Sequence, residues 1–208
     1  MAVIGDAIRS RMHADRPALQ AALEIALKET NRLVPAVHGL TITLGDEFQG
    51  VYETIEHAVD ATLGVQLELM GETLVRFGIG KGEVLFVDES RWPFGQDGPL
   101  WWRAREALEA VVAGETANTT PRSRRTAYRG DGPDDATLNS LLILRDQIVS
   151  RLDAVDGAIL QKLLGGETQA TIAAELDLHP SSVSRRVQRH GLAALLAARH
   201  LQPEAAHP

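Results

Sequence analysis

Three carboxylates stand at positions where their chemistry matters more than their solubility. Asp6 closes a short β-like segment, "AVIGD" (Ala2 to Asp6), and Asp46 and Glu47 are adjacent in "TLGDEFQG" (Thr43 to Gly50), between two runs of strand-forming residues. Gly-Asp is ordinary turn chemistry, so a solvated turn is the plain reading of Gly45-Asp46. The sharper reading pairs Asp46 with Asp6. Two carboxylates with open positions suit Mg²⁺ (or Mn²⁺), which takes oxygen ligands and commonly keeps waters and substrate phosphates. Glu47 is either a third ligand or an outward-facing, solvated acid. Beyond Asp6, "GDAIRSR" offers backbone N–H groups around Ala7, Ile8, Arg9 and Ser10 that can cradle phosphate, and Arg9 or Arg11 adds positive charge. The expected chemistry is metal-dependent binding of a nucleotide.

A second constellation lies near the other end. "TQATIAAELDLHPSSVSRRVQRHG" (Thr168 to Gly191) reads as helix, short turn, helix. Ile172, Ala173 and Leu176 face inward on the first helix, Val183 and Val187 on the second, and Leu178 closes the small core. Pro180 marks a first helical position. Ser181, Ser182, Ser184, Arg185 and Arg189 face out, and Arg186 completes the arginine cluster. Short hydroxyls and arginines on such a helix can meet base edges and phosphates, the pattern of a helix-turn-helix DNA-binding element. The plain alternative is a helical hairpin used for packing or dimerisation. Asp177 stands where a turn glycine is common, which predicts a looser turn.

Other candidates carry less. Trp92, Trp101 and Trp102 are all the tryptophans of the chain; they anchor a core or interface, or stack a base beside the metal site. Arg103 and Arg105 are solvated helix charges or phosphate contacts. Asp97 reads as a turn residue beside the pocket. "RSRR" (Arg122 to Arg125) is a solvated loop or an auxiliary DNA contact. The histidines show no metal-ligand spacing, and His13 alone lies near the phosphate loop.

These residues need elements to position them. The order predicted along the chain is strand, helix, strand, strand, helix, strand, strand, whose opening part is the split β-α-β arrangement of ferredoxin-like folds. Asp15 to Val34 has helical spacing, with Pro17 in a first turn. "GLTITLG" and "FQGVYE" face each other across Gly45-Asp46. A second helix runs from about Thr54 to Met70, and "TLVRFGIG" and "EVLFV" form a further strand pair. In such a sheet, Asp6 and Asp46 come to one edge from neighbouring strands. "LWWRAREALEAVVAG" is a helix, "GETANTTPRSRRTAYRGDGPDD" is mostly loop, and a connecting helix starts at Asp135. The fold class is therefore α/β (α+β), with a nucleotide- and metal-binding domain over 1–133, a connecting helix over 134–151 and a helical DNA-binding domain over 152–208.

Bulk composition sets the frame. In 208 residues, 44% hydrophobic and 24% charged describe a globular chain and not a disordered one. The absence of cysteine excludes disulfides and thiolate metal sites. No apolar run reaches the roughly 20 residues of a membrane span, and "MAVIGDAIRSR" lacks a signal-peptide core, so a cytoplasmic protein without a membrane partner is expected. The net charge of −7 falls wholly within residues 1–150. Acid and base balance beyond that point, as suits two domains with different partners.

"VIGDAIRSR", "TLGDEFQG", "VRFGIGKGEV" and "DGPLWWRAREAL" together resemble the SatD family, over essentially the whole chain. The N-terminal part is also similar to the palm-type catalytic domain of class III nucleotidyl cyclases and, more distantly, of diguanylate cyclases. That resemblance implies that Asp6 and Asp46 are metal ligands over a nucleotide, in a homodimer with sites across a two-fold. It also implies departures. Class III cyclases carry an asparagine and, four residues later, an arginine on the next helix. Anchoring on Gly98-Pro99 puts Trp102 and Glu106 there, and anchoring on Arg105 puts Trp101 at the asparagine position. Ile42 falls near the adenine-reading lysine, and Leu44 replaces the first glycine of the diguanylate-cyclase signature. The reading that follows is a DNA-binding transcriptional regulator whose sensor domain binds an Mg-nucleotide or nucleotide second messenger without cyclising it. The alternative is an active nucleotidyl cyclase, a phosphorus–oxygen lyase, or another nucleotide-converting enzyme with a helix-turn-helix domain.

Overall fold

Strand β1 (Ala2–Ala7) is the axis of the molecule's main sheet. The computed structural model describes residues 1–8, 15–86, 96–133 and 135–200. After β1 comes α1 (Arg16–Leu33), started by Asp15, whose side chain accepts from Ala18 N, with proline in the first turn. β2 (His38–Leu44) and β3 (Glu47–Val51) form a hairpin turned by Gly45, at φ +64°. α2 (Ile55–Glu68), capped by Thr54, returns the chain to β4 (Val75–Gly80). β3 and β4 both pair antiparallel to β1, and β2 pairs antiparallel to β3. β1 and β2 are thus parallel, with β3 inserted between them.

Two expectations change downstream. β5 (Leu85–Phe86) does not pair with β4; it pairs with β6 (Gln96–Asp97) in a separate two-stranded sheet. The free edge of β4 is taken by β7 (Thr126–Arg129), which runs parallel to it. β7 lies in the segment read as loop. It follows α3 (Pro99–Gly114), which carries the chain across the sheet between the two parallel strands. The five-stranded order is β2-β3-β1-β4-β7.

The next helix, α4 (Asp135–Val149), buries Leu142, Arg145 and Asp146 and is the device that seats β7. Asp146 Oδ2 accepts from the backbone N–H groups of Arg125 and Thr126, each at 2.7 Å. Arg145 donates to Val59 O at 3.1 Å and Thr62 Oγ1 at 2.8 Å, and pairs with Asp146 at 2.9 Å. A buried pair with its hydrogen bonds filled is a locating element, not a reactive one.

The chain forms two compact units, Met1–Gln147 and Ile148–Pro208. In the first, Val3, Phe48, Tyr52 and Phe77 pack with α1 and α2 residues on one face of the sheet. The second holds α5 (Ala154–Leu164), α6 (Gln169–Glu175), α7 (Pro180–Arg189) and α8 (Leu192–His200), around Ile159, Leu160, Ile172, Val183 and Leu192. Among the described residues no helix is long and apolar enough to cross a membrane.

Candidate functional site

Strand alternation decides which residues of β1 can do chemistry. Val3 joins the α1/α2 core, whereas Ala2 and Ile4 pack under α3 with Val51, Leu100, Trp101, Ala104 and Leu108. Asp6 has the parity of Ala2 and Ile4, and so the α3 face. α3 does not cover that face evenly. Gly78 and Gly80 let its backbone settle directly on β4: a Cβ at either would overlap the helix main chain at Ala104 or Leu100. α3 therefore lies over β4 and leaves the β1–β3–β2 side open. The result is a groove of about 630 Å³ between α3 and the β2–β3 hairpin.

Asp6 stands at the end of this open half. Its Oδ2 accepts from Arg76 at 3.1 Å, and Arg76 also forks onto Glu115 at 2.8 and 3.1 Å. Its Oδ1 is buried and has no hydrogen-bond partner among the described residues. Burial pushes the Asp6 carboxyl above its ordinary value. Arg76 opposes that shift, and the charges of Asp46 and Glu47 add to it. Asp46 is half-buried at the hairpin tip, close enough for its charge to be felt at Asp6. An orphaned carboxylate oxygen beside a second acid is the donor set that a hard cation completes.

The other expected site residues are placed differently. Glu47 lies opposite Asp6 across the β1–β3 ladder, and both its oxygens accept from Arg105 at 2.6 Å. It is not an outward-facing solvated acid. The Glu47 hydrogen bonds hold the Arg105 guanidinium above its ordinary pKa. Among the described residues, no group of three or more His, Cys, Asp or Glu gathers as a metal cluster. Ala7 is still strand and buried, and Ile8 N–H donates to Leu74 O at 2.7 Å, so that amide is spent on the sheet. Arg9, Ser10, Arg11 and His13 lie outside the described residues, as does Trp92.

Two adjacent tryptophans take opposite roles. Trp101 is 9% exposed and belongs to the packing under α3; Trp102 is 54% exposed and lines the groove. Its indole Nε1 donates to Asp97 Oδ1 at 2.7 Å, and the same oxygen accepts from Gly98 N. Arg103 is turned away, onto Lys81 O and Asp131. Sequence reasoning missed Arg76 and Glu115. The signal was available in "VRFGIG": on the α3 face of β4, Arg76 is followed by Gly78 and Gly80, so one large charged side chain stands where the other positions are emptied for a helix.

In the second unit, Asp153 and Asp156 form a reciprocal capping box at the start of α5. Ile172, Ala173, Val183 and Val187 are buried between α6 and α7. The turn between these helices is not loosened by Asp177. At φ +51° Asp177 adopts the left-handed conformation that glycine usually supplies, which a short polar side chain tolerates. Ser181, Ser184, Arg185 and Arg189 are exposed and Ser182 is half-buried. Ser181 Oγ is 2.8 Å from His179 Nδ1 at the start of α7. Arg186 departs from the expected outward cluster. It shares a face with Val183, Val187 and His190, and its guanidinium binds Asp153 at 2.9 Å and Asp156 at 2.8 Å.

The model of the SatD family matches residues 1–204. Among solved structures, one of a regulator of polyketide synthase expression from Bifidobacterium adolescentis is similar at 14% identity. The match covers 98% of this chain and 81% of that one, and its TM-score of 0.28 is too low to carry an argument. No curated protein matches the chain.

Proposed function

The chain belongs to the SatD family, and on that footing we propose a DNA-binding transcriptional regulator with a nucleotide-sensing first unit. One contrast carries the reading. Of the three arginines on α7, Arg186 is consumed by Asp153 and Asp156, while Arg185 and Arg189 stay exposed beside Ser181 and Ser184. A helix that fixes itself with one arginine and leaves two outward is suited to a base edge and a phosphate. In this reading α6, its turn and α7 are a helix-turn-helix, α7 is the recognition helix, and a homodimer presents two copies to a palindrome.

The first unit is read as a ferredoxin-like, cyclase-type palm, which its strand order and the insertion of β3 between β1 and β2 support. Asp6 and Asp46 would hold Mg²⁺ or Mn²⁺; the Oδ1 of Asp6, buried and without a partner among the described residues, fits such an ion. The ion would offset carboxylate charge and take phosphate oxygens of the nucleotide. Glu47 serves this arrangement by holding Arg105 at the groove. Sensing without cyclisation is favoured because a tryptophan stands at the asparagine position in either register. Nucleotide binding then shifts DNA affinity by a coupling free energy between the two sites.

The test is calorimetric. Nucleoside triphosphates and cyclic nucleotides are titrated into wild type and Asp6→Asn, with and without Mg²⁺, and pyrophosphate release is followed in parallel. The expected outcome is Mg²⁺-dependent binding to wild type, lost in Asp6→Asn, with no pyrophosphate. Equal binding by both proteins sinks the metal site. Steady pyrophosphate release that requires Asp46 makes the chain an enzyme.

A further inference from the structure

We infer that Trp102 is a stacking platform for the base of the bound nucleotide, and that the groove between α3 and the β2–β3 hairpin takes a purine. This rests on the nucleotide reading above and names the subsite that reading leaves open. The starting observation is the difference between two neighbours in sequence. Trp101 has the environment expected of a helix anchor, buried under α3 against Ile4, Leu100 and Leu108. Trp102 lies one residue on, more than half exposed, on the wall of the groove.

An exposed indole is usually free to move, and ordering it costs side-chain entropy. Here that cost is already met. Asp97 accepts the Nε1–H at 2.7 Å, and Asp97 is itself fixed by the N–H of Gly98 at the start of α3. The ring is therefore held in one orientation before any ligand arrives, which is what preorganised recognition requires. The surroundings match a flat, partly apolar ligand. Ile4 and Trp101 contribute apolar floor, Gln49 contributes a side-chain amide with one donor and one acceptor group, and Arg105, held by Glu47, brings the groove a positive charge among the acids Glu47, Glu106 and Glu109. A base on Trp102 can thus be read at its edge by Gln49, with Arg105 placed to meet its phosphates. Purines, with the larger π-face, stack better than pyrimidines.

The experiment uses the full chain with Mg²⁺ and compares nucleoside triphosphates with tripolyphosphate, which has phosphates and no base. Trp102 is exposed, so Trp102→Ala leaves the core intact. Trp102→Ala is expected to weaken triphosphate nucleotides about 5- to 150-fold, the range for loss of one stacked base, and to leave tripolyphosphate affinity unchanged. Trp102→Phe is expected to recover most of the loss. Asp97→Ala, which frees the indole without removing it, is expected to fall between wild type and Trp102→Ala. The inference is overturned if Trp102→Ala binds nucleotides like wild type, or loses tripolyphosphate equally. It is also overturned if sedimentation shows that the substitution only splits an oligomer, because Trp102 then belongs to a contact between copies. Wild type that binds tripolyphosphate as tightly as any nucleotide overturns the base subsite while sparing the metal site. Wild type that binds neither removes the nucleotide reading itself.

Discussion

Asp6 and Asp156 are both carboxylates drawn out of water beside an arginine, one in each unit, and they are treated in opposite ways. Asp156 is 1% exposed and fully used: Oδ1 accepts from Arg186 at 2.8 Å, and Oδ2 lies 2.9 Å from His190 Nδ1. Asp6 has one oxygen on Arg76 and the other buried with no donor among the described residues. A satisfied buried acid locks two elements together; an unsatisfied one is a standing cost that packing does not explain. The difference teaches where to look for a ligand. Asp156 ties α7 to the start of α5 and is structural, whereas the open oxygen of Asp6 is what the proposed metal site rests on.

The largest effect is expected from breaking the satisfied member. Asp156→Ala leaves Arg186 and His190 without their shared acceptor and is expected to cost about 3 kcal/mol, the lower end for one partner lost from a buried pair because Arg186 keeps some solvent contact. Urea unfolding followed by helical circular dichroism measures it. A loss below about 0.5 kcal/mol, the scatter of ordinary surface changes, would show that the hub is ornamental.

Next come the outward arginines, which sharpen the contrast with Arg186. Arg185→Ala is expected to lose about 1–3 kcal/mol at one base position and to relax sequence choice there. Arg189→Ala is expected to weaken all sequences alike and to lower the salt slope by about one ion. Binding titrations on operator-sized fragments at two salt concentrations separate the two. Indifference of both variants would make α6 and α7 a packing device.

The smallest effect concerns the unsatisfied member and has the opposite sign. Burial raises the Asp6 pKa in the folded state, so the native protein binds more protons than the unfolded chain between the ordinary carboxylate value and the raised one. Stability therefore falls as pH rises through that window, and the penalty persists at neutral pH. Asp6→Asn is expected to raise the Tm of metal-free protein at pH 7, with the gain vanishing below about pH 3.8. Added Mg²⁺ should reverse the order by stabilising wild type only. A lower Tm for Asp6→Asn at pH 7 in chelator would contradict the claim that Asp6 is strained by burial.

Local structure was legible where the chain's own neighbours decide it. Asp15 with Pro17, Thr54 and Thr168 mark helix starts, and capping is a contact between residues three apart. The β2–β3 hairpin follows from two strand-forming runs around Gly45. The inward row Ile172, Ala173, Val183, Val187 is readable from periodicity alone. β7 was not legible, because "TAYR" is a short run in a polar segment. It becomes a strand only because β4 offers a free edge and Asp146, some 20 residues on, accepts the amides of Arg125 and Thr126. The short β5 pairs with β6 and not with β4 for the same kind of reason: β4 already has β1 and β7 on its two edges.

By itself, then, the amino-acid sequence determined α1 to α4, α6 and α7, the hairpin, the face that α6 and α7 turn to each other, and the presence of Asp6 and Asp46 at strand and turn ends, but not α5 or α8. Only the tertiary structure decided which charges remain available. The run of Arg185, Arg186 and Arg189 reads as one outward cluster and does not say that two acids at the start of α5 take Arg186 out of it. Nor does it say that Arg105 meets Glu47, that Arg76 is shared by Asp6 and Glu115, or that Trp101 is buried while Trp102 is pinned in the open. Those outcomes depend on long-range juxtaposition, because an ion pair or an orphaned oxygen is set by how closely two elements approach. In the first unit that approach is fixed by Gly78 and Gly80 under α3.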